Sequence, residues 1–196
     1  MILQSGLEFP SMAAFFVVVG VWIVSDWTIA FRHRGAAKKS QDCGSKHAIS
    51  AAVVGGILAA ALLPLIVSAP RVPSPTVAFR AGLGTILFGV AVRQYAVRTL
   101  GNGFDLEVTV DADDEVIDSG PYRWVRHPSY TGSLLSLLGV GIAAGNWLSI
   151  VVVLATGMAG YGYRIRVEER ALYDTLGEAY AEYARRTPYR LVPGLW

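Results

Sequence analysis

Apolar residues in this chain fall into long unbroken runs separated by short polar stretches. The first run, about residues 10–31, carries Phe15, Phe16, Val17, Val18, Val19, Val21, Ile23 and Val24 and is apolar on every face. A run of that length predicts a helix that crosses a bilayer. Only Glu8 supplies charge ahead of it, so it reads as a retained helix rather than a cleaved leader with a basic start. Further spans are predicted at about residues 48–67 and 76–95. Ala51, Ala52, Gly55, Gly56, Ala59, Ala60 and Ala61 in one, and Gly82, Gly84 and Gly89 in the other, predict close helix packing. Pro64 is a candidate kink, and Pro70, Pro73 and Pro75 mark a short external turn. The run from about 130 to 163 is too long for one helix of ordinary tilt and short for two full spans. Gly145-Asn146 breaks it, which predicts a tight hairpin of helices at 129–144 and 147–163.

Composition agrees with an all-α integral membrane protein of one domain over residues 1–196. The chain is 53% hydrophobic and 16% charged, against about 25% charged in soluble domains. Charge position then sets orientation. Arg32, Arg34, Lys38, Lys39 and Lys46 face only Asp42 in the first loop, which places that loop in the cytoplasm. The Arg126 junction and the Arg164/Arg166 junction fall on the same side. The expectation is five transmembrane helices, an external N-terminus, a cytoplasmic C-terminus and cytoplasmic segments at 32–47, 96–128 and 164–196. Topology accounts for the basic loop without nucleic acid. Cys43 stands alone, and His33, His47 and His127 are far apart, so no disulfide or metal spacing is present.

Several charged residues need individual readings. Asp26, near the end of the first span, is either hydrated at the interface or a site residue. Arg80 and Arg93 are expected to snorkel to the outer and inner surfaces. In the polar segment 98–125, Leu106-Val108-Val110 and Val116-Ile117 flank Asp111, Asp113 and Asp114, which predicts a short hairpin. The aspartates lack the rest of a calcium-loop pattern.

Gly120-Pro121-Tyr122-Arg123-Trp124-Val125-Arg126-His127-Pro128-Ser129-Tyr130-Thr131-Gly132 marks the entry to the hairpin. Trp124, Tyr122 and Tyr130 suit a membrane interface, and Pro128 suits the first turn of a helix. Beyond the hairpin, Leu172, Leu176, Ala179, Tyr180 and Tyr183 recur at helical spacing, with Gly177 positioned to split the helix. Residues 190–196 are apolar enough to dock back on the membrane or the domain. The hairpin brings Arg126 and His127, at the foot of one helix, to Arg164, Glu168 and Glu169 at the foot of its neighbour. Arg164 and Glu168 alone form an i,i+4 surface pair worth about 0.2–0.5 kcal/mol. Adjacent Glu168 and Glu169 point to different faces, so the second carboxylate implies a polar pocket at the membrane surface.

Residues 120–132, followed by Glu168-Glu169, Gly177, Tyr180 and Tyr183, and then Thr187-Pro188 and Leu191-Val192-Pro193-Gly194, closely resemble the isoprenylcysteine carboxyl methyltransferases and the wider membrane phospholipid methyltransferase family. The resemblance covers about residues 100–196. It implies a membrane bundle with S-adenosylmethionine on its cytoplasmic side and a lipophilic or prenylated acceptor entering from the lipid bilayer. It further implies that Arg126, His127, Tyr130 and Gly132 form the cofactor pocket and that Glu168 and Glu169 complete it. Arg164 or Arg166 would hold an anionic acceptor, so that Arg164 and Glu168 carry the catalysis.

The chemistry suits these residue types. A carboxylate acceptor is already ionised near neutral pH, so methyl transfer to it needs no general base. The protein's tasks are alignment and exclusion of water. A lipid amine acceptor would instead give up its proton to Glu168 or Glu169. A reductase sharing the Arg-His-Pro motif would bind a 2′-phosphate through Arg123 or Arg126. A non-catalytic membrane protein would tolerate Glu168→Gln and Glu169→Gln. Cys43 checks the topology: a membrane-impermeant thiol reagent added to intact cells should leave it unlabelled, and labelling from outside would overturn the arrangement.

Overall fold

A computed structural model describes residues 9–32, 42–101, 110 and 116–196. The helices are α1 (Phe9–Arg32), α2 (Ser45–Ile66), α3 (Pro75–Leu100), α4 (Pro128–Ala143), α5 (Trp147–Leu176) and α6 (Glu178–Arg186), with a 3-10 turn at Gly120–Arg123 before α4. No strand occurs among the described residues. The hairpin expected around Asp111 lies outside them, as does most of the first basic loop.

Local chemistry explains the helix ends. Pro75 and Pro128 sit in the first turns of α3 and α4, where a missing N–H costs nothing. Asn146 caps α5, its side-chain oxygen accepting from the amides of Leu148 and Ser149. α5 runs unbroken beyond the apolar stretch until Gly177, whose φ of 54° ends it and admits α6.

Among the described residues four helices, α1, α2, α3 and α5, are long and apolar enough to cross a membrane. α4 is shorter, at 16 residues. Phe16, Val17, Ile23, Val24, Leu58, Leu62 and Ile66 are exposed along α1 and α2, the surface expected of a chain solvated by lipid. The molecule is an integral, multi-pass membrane protein.

Small residues let the backbones meet. A Cβ at Gly89 would lie 2.5 Å from the Gly132 carbonyl, and one at Gly82 would lie 2.5 Å from the Ala143 amide. Gly132 and Gly139 answer from α4, their added Cβ atoms falling 2.6 Å from the Arg93 amide and 2.7 Å from the Gly82 carbonyl. α2 meets α5 in the same manner through Gly56 against Thr156 and Gly160 against Ala52. Ser149 Oγ adds a hydrogen bond to the Ala60 carbonyl at 2.7 Å. Gly84 and Gly55 differ from expectation, with nothing within 4 Å of an added Cβ. Two residues are about 200° on a helix, so Gly84 faces away from the stripe that Gly82 and Gly89 share.

Arg93 also departs from expectation, turning into the protein rather than snorkelling. Its Nε donates to Asp26 Oδ1 at 2.8 Å and its Nη1 to Ser133 Oγ at 3.0 Å. Gln94 Nε2 donates to Ser25 Oγ at 2.6 Å beside it. Asp26 is therefore an ion-pair partner that ties α1 to α3 and α4. In an apolar surround such polar contacts join helices that the hydrophobic effect does not hold together.

Gly89→Leu should cost at least about 1–3 kcal/mol, because the backbone opposite cannot retreat. Gly84→Ala should be neutral or stabilising by up to about 0.5–1 kcal/mol. Thermal unfolding in detergent separates them, and equal losses would contradict this packing.

Candidate functional site

Pro128 excludes His127 from the helix, so the chain bends through Arg126 and His127 before α4 begins. The amides of Arg126 and His127 donate to the carbonyls of Tyr189 and Arg190, both at 2.9 Å. The C-terminal tail is thus laid against the motif. Thr131 Oγ1 fastens it again, donating to the Leu191 carbonyl at 2.7 Å.

Glu169 lies at the centre of this junction. Its Oε1 accepts from Arg126 Nε at 2.8 Å and lies 3.3 Å from His127 Nε2. Its Oε2 accepts from Arg190 Nε at 3.0 Å and Nη2 at 2.8 Å. A carboxylate has about four acceptor positions, and all are taken. Arg126 is equally committed, with Nη1 donating to the carbonyls of Thr187 at 2.9 Å and Pro188 at 3.1 Å. Both side chains are buried, where a charge needs a partner.

Glu168, the next residue along α5, faces elsewhere. Its Oε2 accepts from the Tyr130 hydroxyl at 2.6 Å and lies 3.8 Å from His127 Nδ1. Its Oε1 has no hydrogen-bond partner among the described residues, and 29% of the side chain is exposed. The Tyr130 ring stacks on His127, centroids 5.6 Å apart and planes 11° from parallel, and leans on Tyr161 at 5.2 Å.

Arg164 does not simply pair along its own helix. Tyr130 Oη stands between it and Glu168, donating to Glu168 and accepting from Arg164 Nε at 3.2 Å. Arg164 Nη1 reaches Asp42, and donates to Ser45 Oγ at 2.9 Å. Asp42 also caps α2, accepting from Ser45 Oγ at 2.8 Å and the Lys46 amide at 3.0 Å. Arg166 is exposed. Gly132 lies in the α3–α4 crossing, where its missing side chain permits backbone contact.

The structure thus brings Arg126, His127, Tyr130, Arg164, Glu168 and Glu169 together and adds members that motif reading missed. Asp42 was legible only as a residue preceding a helix start. Arg190 sits in a tail whose docking no local pattern specifies. Tyr180 is buried with its hydroxyl lacking a partner among the described residues, and burial together with the charge of Glu169 raises its pKa well above the usual phenol range.

This geometry defines a class: a helical membrane protein whose polar centre forms where α4, α5 and the tail meet. Residues 82–174 match the model of the isoprenylcysteine carboxyl methyltransferase (ICMT) family, and all the sequence-derived site residues fall within that stretch. Similar curated proteins include protein-S-isoprenylcysteine O-methyltransferase of Xenopus laevis, 34% identical over 109 residues, covering 55% of this chain and 38% of that protein. Protein-S-isoprenylcysteine O-methyltransferase B of Arabidopsis thaliana is 30% identical over 109 residues, covering 55% of each. The match thus spans between about two-fifths and just over half of these curated relatives. The solved eukaryotic intramembrane Ras methyltransferase ICMT shares the fold, with a TM-score of 0.59 and 24% identity over 74% of this chain and 52% of that one. The family resemblance read from the sequence is shown by these matches.

The two glutamates should respond differently to substitution. Glu169→Ala strands Arg126 and should destabilise the protein by about 3–5 kcal/mol, while exposing residues 187–196 to protease. Glu168→Gln, on a partly exposed carboxylate, should cost less than about 1 kcal/mol. Thermal unfolding and limited proteolysis test the pair, and equal stability losses would contradict the division.

Proposed function

We propose that the chain is an S-adenosylmethionine-dependent methyltransferase acting on a membrane-embedded amphiphile with an isoprenylcysteine-type carboxylate. The observation that carries this reading is the division between the adjacent glutamates. Glu169 is fully spent on the junction, whereas Glu168 keeps one oxygen without a partner among the described residues, beside the His127–Tyr130 stack.

The residues present fit that cofactor. A carboxylate suits the cofactor's amino and ribose donors, and the flat aromatic surfaces beside it suit a purine. Arg126, His127, Tyr130, Glu168 and Glu169 would form its site, with Glu168 touching it and Glu169 and Arg126 fixing the surrounding backbone. Gly132 would serve by holding α4 close to α3. When bound, S-adenosylmethionine supplies an electrophilic methyl group. Arg164, held by Asp42 and reaching Tyr130, supplies positive charge for the acceptor's carboxylate. Tyr130 fixes the distance between that cation and Glu168. No side chain has to remove a proton from a carboxylate acceptor. The alternative acceptor within the same fold is a lipid amine, with Glu168 as the base.

In this reading α4 also crosses the membrane, as a short hairpin with α5, giving five spans. The N-terminus is external and the polar centre is cytoplasmic, supported by the basic residues of the first loop and of both hairpin feet. The apolar walls of α4 and α5 would admit the acceptor's tail from the bilayer. A reductase's 2′-phosphate would have to be held by the exposed Arg123, because Arg126 is already committed to Glu169 and two tail carbonyls.

Purified protein should bind S-adenosylhomocysteine in isothermal titration and show no affinity for NADPH. Glu168→Gln should weaken S-adenosylhomocysteine by about 10- to 150-fold, the range for a hydrogen bond to a charged group. Arg164→Ala should raise KM for a prenylated acceptor more than for S-adenosylmethionine, with poor rescue by Lys. Methylation of water-soluble truncated acceptors at the same rate would sink a membrane-fed site.

A further inference from the structure

α6 carries two buried tyrosines one helical turn apart, Tyr180 and Tyr183, whose hydroxyls are used differently. Tyr183 Oη donates to the Tyr122 carbonyl at 2.8 Å, so that hydroxyl joins α6 to the turn before the motif. Tyr180 Oη has no hydrogen-bond partner among the described residues. Its ring is well seated, edge-on to Tyr173 at 4.8 Å and 5.8 Å from Tyr183. A phenylalanine would fill the same space without a stranded polar atom. α6 itself borders the candidate site: Tyr183 ties it to the turn before Arg126, and Arg126 Nη1 reaches the Ala184 carbonyl at 3.4 Å, while Tyr180 lies one turn back on the same helix. Burial and Glu169 keep the phenol protonated, which makes it a donor near neutral pH.

We propose that Tyr180 is a further cofactor-binding residue, its hydroxyl donating a hydrogen bond to bound S-adenosylmethionine. This rests on the methyltransferase reading above. The unpartnered hydroxyl is then a cost of the ligand-free protein that binding relieves.

Thermal unfolding and isothermal titration of full-length wild type, Tyr180→Phe and Tyr183→Phe, each with and without S-adenosylhomocysteine, test it. Without ligand, Tyr180→Phe should melt at or above wild type, and its affinity should be roughly three- to tenfold weaker, the range for one neutral hydrogen bond. Tyr183→Phe should show the opposite signature, a lower melting temperature with unchanged affinity. If wild type binds and Tyr180→Phe binds equally well, the hydroxyl does not touch the cofactor and the proposal falls alone. A ligand-free melting temperature of Tyr180→Phe below wild type, with unchanged affinity, would assign the hydroxyl a structural role. If no protein binds S-adenosylhomocysteine, the methyltransferase reading falls and takes this proposal with it.

Discussion

The carboxylate of Glu169 is the point on which the polar half of the molecule depends. Taking an ionised group out of water costs several kcal/mol, and that cost is offset only if nearly every acceptor position is filled. Here Arg126, His127 and Arg190 fill them. These donors come from the foot of α4 and from the tail, so one carboxylate on α5 holds three segments in register. Arg126 extends the same logic by donating onward to tail carbonyls that would otherwise lack partners.

Deeper in the bundle the problem is different. Lipid offers helices no hydrophobic reason to associate, so their contacts must come from close backbone approach and from polar bonds. The glycines of α3 and α4 supply the first, letting the two backbones approach with no side chain between them. Arg93 supplies the second, bridging Asp26 on α1 and Ser133 on α4. The α3–α4 crossing matters to the site because Gly132 lies half a turn beyond Tyr130, so the closeness of the helices also sets where the Tyr130 ring stands.

Two neighbouring glutamates divide the work because successive residues on a helix point about 100° apart. Glu169 faces the junction and is consumed by it. Glu168 faces Tyr130 and remains partly open. A single bridging hydroxyl, that of Tyr130, links Glu168 to Arg164. Arg164 in turn depends on Asp42, a residue more than a hundred positions away that also starts α2. The candidate site is thus supported from both flanks by groups whose own charges are satisfied.

Much of this was determined by sequence alone. Unbroken apolar runs of about 20 residues read as membrane helices, because a single segment satisfies its own backbone polar groups in lipid by becoming helical. Gly145-Asn146 and Gly177 broke helices where the backbone needed a cap or a positive φ. Arg126, His127, Tyr130, Glu168 and Glu169 were legible as a cluster because a hairpin must bring its two feet together. Helical period also predicted that the two glutamates would differ, but not which would stay partly exposed. That was decided by the tail, whose Arg190 approaches from outside any local pattern. Arg93 reads along its own helix as a snorkelling cation, and only the fold puts Asp26 within its reach. Gly84 looked like its neighbours until the rotation of α3 turned it outward. Ionic pairing and helix rotation depend on which distant surfaces meet, and periodicity along one segment carries no record of the partner on the other side.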